Sequence, residues 1–205
     1  MSRHVVRSIS LVRQGPLVEL QLDQGERIRI HQRRVAAQGL RVGSGLTETQ
    51  LAALGRDAEV DRCEQRALRL LTVRARSAAE LGDRLRGWGL DRAEAGSVVD
   101  RLERLGLVDD VALAQRTAAR LDDRGHGHLR VARDLDRLLV AAGLREPAVH
   151  DHAVSDLERA RRVAEQRFGP PPYDAEVKRR AAGLLARRGF DEETVMEAVG
   201  AADWE

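Results

Sequence analysis

The chain has 205 residues, of which 42% are apolar, 33% are charged and only 2% are aromatic, a balance that favours helices over strands. Its formal net charge is +2, but residues 1–108 carry 19 basic and 14 acidic side chains, so an anionic partner can be met from that end. The single cysteine excludes an internal disulfide. No apolar run approaches the ~20 residues of a membrane span, and residues 1–15 lack the apolar core of a signal peptide. We therefore expect a cytoplasmic protein without membrane contact.

The N-terminal segment, residues 1–46, alternates apolar and polar positions with a period of two. HVVRSISLV, LVELQL and RIRIH are separated by glycine-containing turns, which predicts two or three antiparallel strands with a hairpin. The glycine-rich run at 39–45 lacks the Lys-Ser/Thr pair of a phosphate-binding loop. We therefore interpret that run as an ordinary connection.

A capping box at Thr47 and Gln50 predicts the start of a helix. From residue 61 onward, apolar residues recur every three or four positions, which predicts amphipathic helices to the end of the chain. Ser77 is a candidate cap for one of these helices, and Pro147 a candidate first residue of another. The predicted organisation is a β-rich segment (1–46), a connecting helix (47–60) and three-helix repeats at 61–108, 109–157 and 158–205.

The repeat also shows in the letters at three predicted helix ends. Each has a glycine suited to positive φ and an apolar residue that folds back on the helix. Stacked three-helix units bury their apolar stripes against one another, so we expect a mainly α, elongated and curved array. The aligned turns, 54 and 46 residues apart, are Leu85-Arg-Gly-Trp-Gly89-Leu90-Asp91, Leu139-Val-Ala-Ala-Gly143-Leu144-Arg145 and Leu185-Ala-Arg-Arg-Gly189-Phe190-Asp191.

Two segments of the first repeat carry a specific signature. ALRLLTVRARSAAELGDRLRGWGL (67–90) contains an Arg-x-Arg-Ser cap and a Gly-Leu turn, and VVDRLERLGLVDDVALAQ (98–115) contains a Leu-Gly-Leu-Val-Asp-Asp junction. Together they resemble the RecX family, bacterial regulators of the RecA recombinase. A Gly-x-Gly-x-x-Arg stretch at 125–130 is similar to one in the family's second repeat, and the likeness extends over residues 61–204. The β-rich N-terminus resembles an extension that only some members carry.

The resemblance implies a function that composition and periodicity do not. Members of the family bind along the helical groove of the RecA–DNA filament, dampen its ATPase and strand exchange, and alter filament growth or disassembly. They use no cofactor and catalyse no reaction. We therefore expect a non-enzymatic regulator of RecA, acting as a monomer.

The residues that could suggest catalysis or metal binding do not form a recognisable site in the sequence. The histidine pairs His126-x-His128 and His150-x-His152 could bind a metal ion, but no cysteine or regularly spaced carboxylate completes a set of ligands. We expect His128 to begin a helix and His150 to border the core. The acid pairs Asp109-Asp110 and Asp122-Asp123 lie near predicted helix boundaries, where carboxylates stabilise helix N-termini or aid solubility. We predict no catalytic residue and no metal site.

Basic clusters are the remaining candidates for contact with a filament or with DNA phosphates. Arginine is spread over every segment, so a solvated face is the alternative for any one residue. As a set on a curved array they suit phosphates or carboxylates. The candidates are Arg74, Arg76, Arg84, Arg86, Arg120, Arg124, Arg130, Lys178, Arg179, Arg180, Arg187 and Arg188.

Two other functions remain open from the residues alone. Three-helix units superficially resemble helix-turn-helix domains, which favours a direct DNA-binding protein. A helical array is also suited to be an adaptor between other proteins. A recognition helix with polar, base-contacting side chains would favour the first alternative, and capture of partners without filament proteins would favour the second.

Overall fold

A computed structural model describes residues 3–12, 15–153 and 155–200. The chain forms two compact units: unit 1 comprises Met1–Arg74 and Gly82–Arg101, and unit 2 comprises Ala75–Leu81 and Leu102–Glu205. The last five residues of the predicted third repeat, 201–205, lie outside the described residues. Among the described residues, no helix is both long enough and apolar enough to cross a membrane.

The N-terminal segment forms a small antiparallel sheet, which confirms the predicted strands. Four strands pair in it, and the short fourth strand begins at Gly45, the last residue of the glycine-rich run that was predicted to be a plain connection. Val6 and the backbone of residues 43–44 exchange hydrogen bonds of 2.8 and 3.0 Å, because the glycines bring this loop alongside β1. The strands are β1 (Arg3–Leu11), β2 (Leu17–Leu22), β3 (Arg27–His31) and β4 (Gly45–Thr47), and helix α1 (Gln32–Ala37) follows β3.

Helix α2 runs from Glu48 to Val73 and packs its apolar side on one face of the sheet. The capping box is confirmed, since Thr47 and Gln50 exchange side-chain to backbone hydrogen bonds of 3.2 and 2.9 Å. The prediction placed a boundary between residues 60 and 61, but α2 is continuous there because Val60 and Asp61 include no helix breaker. Cys63 is buried on this helix, as predicted, and burial raises the pKa of its thiol.

Eight further helices follow in the described part of the chain. Together with α2 they form three consecutive groups of three, as the sequence predicted. The first helix of the third group begins at Asp156, two residues before the predicted boundary at 158. The helices are α3 (Ala78–Gly87), α4 (Arg92–Arg104), α5 (Asp110–Asp123), α6 (His128–Arg137), α7 (Ala142–Ala153), α8 (Asp156–Phe168), α9 (Ala175–Arg188) and α10 (Glu192–Val199).

The three turns that revealed the repeat are spaced differently from the sequence alignment. Positive φ occurs at Gly89 (97°), Leu139 (58°) and Gly189 (88°), so the spacing is 50 residues in both steps. In each turn the next residue donates its N–H to the carbonyl four residues before the positive-φ position, the pattern that ends a helix in a Schellman motif. The alignment was wrong in the second repeat because it took Gly143 as the marker, where the turn residue is Leu139.

The shift in the second repeat also changes the start of its third helix. Helix α7 begins at Ala142, so Pro147 lies inside the helix rather than at its first position. In the equivalent helices, Asp91 and Asp191 each cap the N-terminus by accepting a hydrogen bond from the N–H three residues further along the chain. Helix α7 has Ala141 at this position, so it has no such side-chain cap. Because proline has no N–H, the hydrogen bond from residue 147 to the carbonyl of residue 143 is missing from this helix.

Candidate anion-binding surface

Four of the twelve predicted basic residues are buried or half-buried and contact other groups of the protein. Arg76 is 8% exposed and forms an ion pair with Glu80, and Arg130 lies 3.1 Å from the carboxylate of Asp134. Lys178 donates from Nζ to the carbonyl of Gly200 at 2.6 Å. Arg188 donates to the carbonyls of residues 124 and 125 at 2.9 and 3.2 Å. These four side chains stabilise turns and helix ends in unit 2.

Arg188 belongs to a close junction between the second and third repeats. The backbone N–H of Gly127 donates to the carbonyl of Arg188 at 3.1 Å, and the N–H of Leu129 donates to the carbonyl of Gly189 at 3.0 Å. A Cβ atom at residue 127 would lie 2.4 Å from the Gly189 oxygen, so only glycine permits this approach. The Gly-x-Gly stretch is therefore explained by contact between two backbones.

A buried charge network reinforces the same junction. Arg159 is 2% exposed and forms ion pairs with Asp156, which is equally buried, and with Asp122. Asp156 also accepts hydrogen bonds from the backbone N–H and from Nδ1 of His128, at 2.9 and 2.8 Å. Arg159 was not among the predicted residues. Its signal was positional, because residues 156, 159, 160 and 163 share one helical face that is otherwise apolar.

The histidines and paired acids have structural roles. His128 is the first residue of α6, as predicted, but His150 is exposed, and it is His152 that is buried, with Nε2 2.9 Å from the carbonyl of His126. Burial lowers the pKa of His126. In the described ranges, no three His, Cys, Asp or Glu side chains come together in a way that would hold a metal ion.

Asp109 and Asp110 serve two different helices. Asp109 caps α5, since it accepts from the N–H of Ala112 at 2.8 Å. Asp110 accepts from the N–H of Ala78 at 2.9 Å, at the start of α3. Burial raises the pKa of Asp110, with Asp109 adding a smaller contribution. The Asp-Asp part of the sequence signature is thus explained by helix capping.

The other predicted residues lie on the surface. Arg74 and Arg84 are exposed at the end of α2 and on α3, and Arg86, which is also exposed, pairs with Asp83 on its own helix. Arg120 and Arg124 are exposed near the end of α5. These five positions are spread over several elements.

The three remaining residues meet in one groove of the third repeat. Arg179, Arg180 and Arg187 project from α9 and are joined by Arg167 from α8 around the ring of Phe168. The groove has a volume of about 370 Å³, and its described lining includes no acidic residue. The Arg180 guanidinium lies 5.6 Å from the centre of the Phe168 ring and 3.8 Å from Glu176, which lies outside the lining.

The chemistry of this groove suits an anion. Guanidinium groups are planar, permanently charged and able to bind phosphate or carboxylate oxygens through two parallel hydrogen bonds. Four such groups line this groove, and its described lining includes no carboxylate. Arg179, Arg180 and Arg187 were among the predicted contact residues, but the sequence gave no sign that they would share a groove with Arg167 and Phe168.

Comparison with known proteins agrees with the three-helix organisation. Residues 63–102 match a family model described as the first three-helix domain of RecX, and residues 155–199 match the third three-helix domain of RecX. The second match contains the whole of the basic groove.

Similar proteins and structures carry the same description. The chain is 38% identical over 139 residues to the regulatory protein RecX of Acidithiobacillus ferrooxidans, covering 66% of this chain and 87% of that protein. It is 36% identical over 154 residues to the regulatory protein RecX of a Mycobacterium species, covering 70% and 84%. A crystal structure of regulatory protein RecX superposes with a TM-score of 0.76 at 17% identity, over 97% of this chain and 99% of that one. A crystal structure of RecX from Lactobacillus salivarius gives 0.60 at 17% identity, over 71% and 97%.

Proposed function

The chain belongs to the RecX family of regulatory proteins, and from that membership we propose that it regulates the RecA recombinase by binding the RecA–DNA filament. The protein lies along the helical groove of the filament and restrains its ATPase, strand exchange and growth. It acts in the cytoplasm, as a monomer, through binding alone. The support for this proposal is the family together with the basic groove of the third repeat.

The groove supplies the contact that the proposal needs. Arg167, Arg179, Arg180 and Arg187 face an anionic ligand without a competing acid in the lining. A nucleoprotein filament presents DNA phosphates and surface carboxylates, and both are matched by guanidinium pairs. We assign this groove as the principal filament contact, with Arg74, Arg84, Arg86, Arg120 and Arg124 as secondary contacts.

The proposal assigns structural roles to Asp109, Asp110, His128 and His152. Asp109, Asp110 and Asp156 all accept hydrogen bonds from helix N-termini, and His128 and His152 are bonded to Asp156 and to a backbone carbonyl. Carboxylates and imidazoles engaged in this way serve folding. Regulation without a cofactor is consistent with that use.

The ATPase of RecA tests the function. On single-stranded DNA, the purified protein should slow ATP hydrolysis by the RecA of its own organism. The triple variant R179E/R180E/R187E should need about a hundredfold more protein for the same effect, since three reversed contacts at roughly 1 kcal/mol each give that factor. A matched variant, R104E/R116E/R133E, reverses three exposed arginines outside the candidate set and should act like the wild type. Unchanged hydrolysis with excess wild-type protein contradicts the proposal.

Direct binding to DNA is the alternative with a structural test. In unit 2, the exposed positions of α9 are occupied by arginine, alanine and glutamate, and the helix contains no Asn, Gln, Ser or Thr for reading base edges. Its arginines can contact phosphates or the edges of guanine bases. A gel shift with duplex DNA across a salt series separates the two, because tight and sequence-selective binding without RecA would favour the alternative.

A third possibility, an adaptor for proteins unrelated to recombination, predicts partners in the absence of filaments. Pull-down from a lysate that lacks RecA would capture them. A specific partner there, together with an unchanged RecA ATPase, would favour the adaptor.

A further inference from the structure

A second groove lies in unit 1, beside the edge of the N-terminal sheet. Its volume is about 950 Å³, and its lining runs from β3 along one side of α2. The basic residues in the lining are Arg27 and Arg29 of β3 and Arg62, Arg66 and Arg69 of α2, and the acids are Glu19 and Glu59. This groove is independent of the third repeat, and no part of the proposed function uses it.

The strand β3 has an unpaired edge, because within the described residues it pairs only with β2. The register shows which groups point outward. Leu17 lies opposite His31, and in the neighbouring pair the N–H of Gln32 donates to the carbonyl of Pro16 at 2.8 Å. Hydrogen-bonded and non-hydrogen-bonded pairs alternate along antiparallel strands, so the pair 17/31 is not hydrogen-bonded. The N–H and C=O groups of residues 27, 29 and 31 therefore point away from β2.

The contact made by His31 confirms that direction. Its N–H donates to the carboxylate of Asp61 on α2 at 2.6 Å, so α2 satisfies the edge at this end. Arg27 and Arg29 remain, each with a donor and an acceptor on the same side as the groove. An open strand edge with such groups is a template for one more strand.

Helix α2 forms the opposite wall of the groove. The lining residues from Gly55 to Arg69 span 14 positions, which corresponds to about 21 Å at ~1.5 Å per residue. That length accommodates roughly six residues of extended chain at ~3.3 Å each. Apolar patches from Val12, Leu17, Ile28 and Ala58 interrupt the charged lining and are suited to aliphatic side chains.

The charges of the groove are only partly neutralised within it. Arg29 pairs with Glu19 at 2.9 Å, and Arg62 pairs with Glu59. The guanidinium of Arg66 lies 4.1 Å above the ring of Trp88, a stacking contact that orients the group and leaves its N–H edge available. Arg27 also lies 3.8 Å from Glu19, which it shares with Arg29, but its side chain is largely exposed, and Arg69 is exposed as well. Five cations against two anions leave an excess of positive charge.

We propose that this groove binds an acidic, extended segment of a partner protein, which pairs with the edge of β3 and places carboxylates against Arg27, Arg66 and Arg69. A nucleic acid fits less well, because the open strand edge offers N–H and C=O groups for pairing with a polypeptide main chain, which a nucleic acid does not have. A second copy of this chain also fits less well. Edge-to-edge pairing of two β3 strands would bring Arg27 and Arg29 of both copies together, and like charges in facing strands are destabilising.

Fluorescence anisotropy of the full-length protein tests the proposal. The probe is a labelled peptide of about ten residues, the length of a long strand, alternating Val and Glu. It should bind with an affinity that falls as salt rises, and the corresponding Val–Lys peptide should not bind. R69E should weaken binding about tenfold, whereas R133E, at an exposed arginine that lines neither groove, should leave it unchanged.

The strand pairing has its own variant. R29P removes an N–H that faces outward and is not used in the sheet, a position at which proline is tolerated on an edge strand. R29A removes the same side chain but keeps the N–H, so the loss of affinity from R29A to R29P measures the main-chain bond. We expect a further loss of about fivefold, with circular dichroism confirming that both variants fold.

Several results would overturn the proposal. Failure of the acidic peptide to bind, or equal binding of the acidic and basic peptides, removes the acidic partner. An oligothymidylate that binds more tightly and displaces the peptide assigns the groove to nucleic acid. Equal affinities of folded R29A and R29P remove the strand pairing.

Discussion

Two junctions in unit 2 follow one plan with different residues. At the start of α3, Ser77 donates its hydroxyl to the carbonyl of Leu138 at 2.5 Å. At the start of α6, fifty residues later, Gly127 donates its backbone N–H to the carbonyl of Arg188 at 3.1 Å. The first junction is bridged by a side chain, and the second brings two backbones into direct contact.

The acids at the two junctions are equivalent. Ala78 and His128 are the first residues of α3 and α6, and their N–H groups donate to Asp110 and Asp156, the first residues of α5 and α8. The same contact therefore recurs where the middle helix of one repeat meets the first helix of the next. The second junction adds the buried Arg159, which makes it more dependent on single residues. The hydrogen bond from the start of the middle helix to an aspartate of the next repeat is therefore common to both junctions. The neighbouring residues that stabilise it differ between them.

The largest effect is expected from Arg159→Met. Removing the guanidinium leaves the buried carboxylate of Asp156 without its arginine partner, and breaking a buried ion pair costs about 3–5 kcal/mol. Chemical denaturation should show this loss in the free energy of unfolding. Arg161→Met, on an exposed side chain of the same helix, is the control and should change it by less than about 0.5 kcal/mol.

The backbone contact is tested by Gly127→Ala. The new methyl group would lie 2.4 Å from the Gly189 oxygen and 2.6 Å from its carbonyl carbon, so the two turns must separate. We expect a loss of about 2–3 kcal/mol, the upper range for overpacking. Gly82→Ala, in the middle of α3 with open space around it, should stabilise the protein by about 0.5–1 kcal/mol. An equal effect of the two substitutions would contradict the backbone contact.

The side-chain bridge is tested by Ser77→Ala. This change removes the cap that accepts from the N–H of Glu80 and also the donor to Leu138. A loss of about 1–2 kcal/mol is expected, as for other helix caps. Ser77→Thr retains the hydroxyl and should recover most of that stability. If both variants unfold alike, the hydroxyl has no role in the junction.

The smallest effect concerns the turns themselves. Leu139 adopts φ 58° where Gly89 and Gly189 occupy the equivalent positions, and its side chain is 45% exposed. Leu139→Gly should relieve backbone strain of about 1 kcal/mol. The half-exposed side chain contributes less than that through apolar contact, so the midpoint of thermal unfolding should rise slightly. Leu138→Gly, whose φ is −83°, should lower it. A lower midpoint for Leu139→Gly would mean that the side chain has a packing role.

The sequence predicted features that depend on near neighbours. The capping box at Thr47 and Gln50, the cap at Ser77 and the apolar stripes of the helices all involve residues three or four positions apart, and all are present. The alignment of the second repeat failed because glycine was used to locate a turn whose residue is a leucine. That turn is held by its hydrogen bonds to α6 and by the buried Val140 that follows.

The basic surface was harder to predict, because contacts with residues far away in the sequence decide whether a basic side chain is exposed or bound within the protein. Nothing near Arg188 in sequence indicates that it donates to carbonyls 63 and 64 residues away. Arg159 similarly resembles a solvated residue until its helical face is considered. Arg179, Arg180 and Arg187 are exposed on α9, and Arg167 joins them only through the packing of α8 on α9.

Binding of the labelled protein to RecA filaments tests the central claim most directly. Anisotropy should be measured with filaments assembled on single-stranded DNA with a non-hydrolysable nucleotide, so that binding is separated from ATPase effects. We predict saturable binding by the wild type and by R104E/R116E/R133E, and a Kd about a hundredfold higher for R179E/R180E/R187E. Equal affinities of the two triple variants, or no binding by the wild type, would contradict the account.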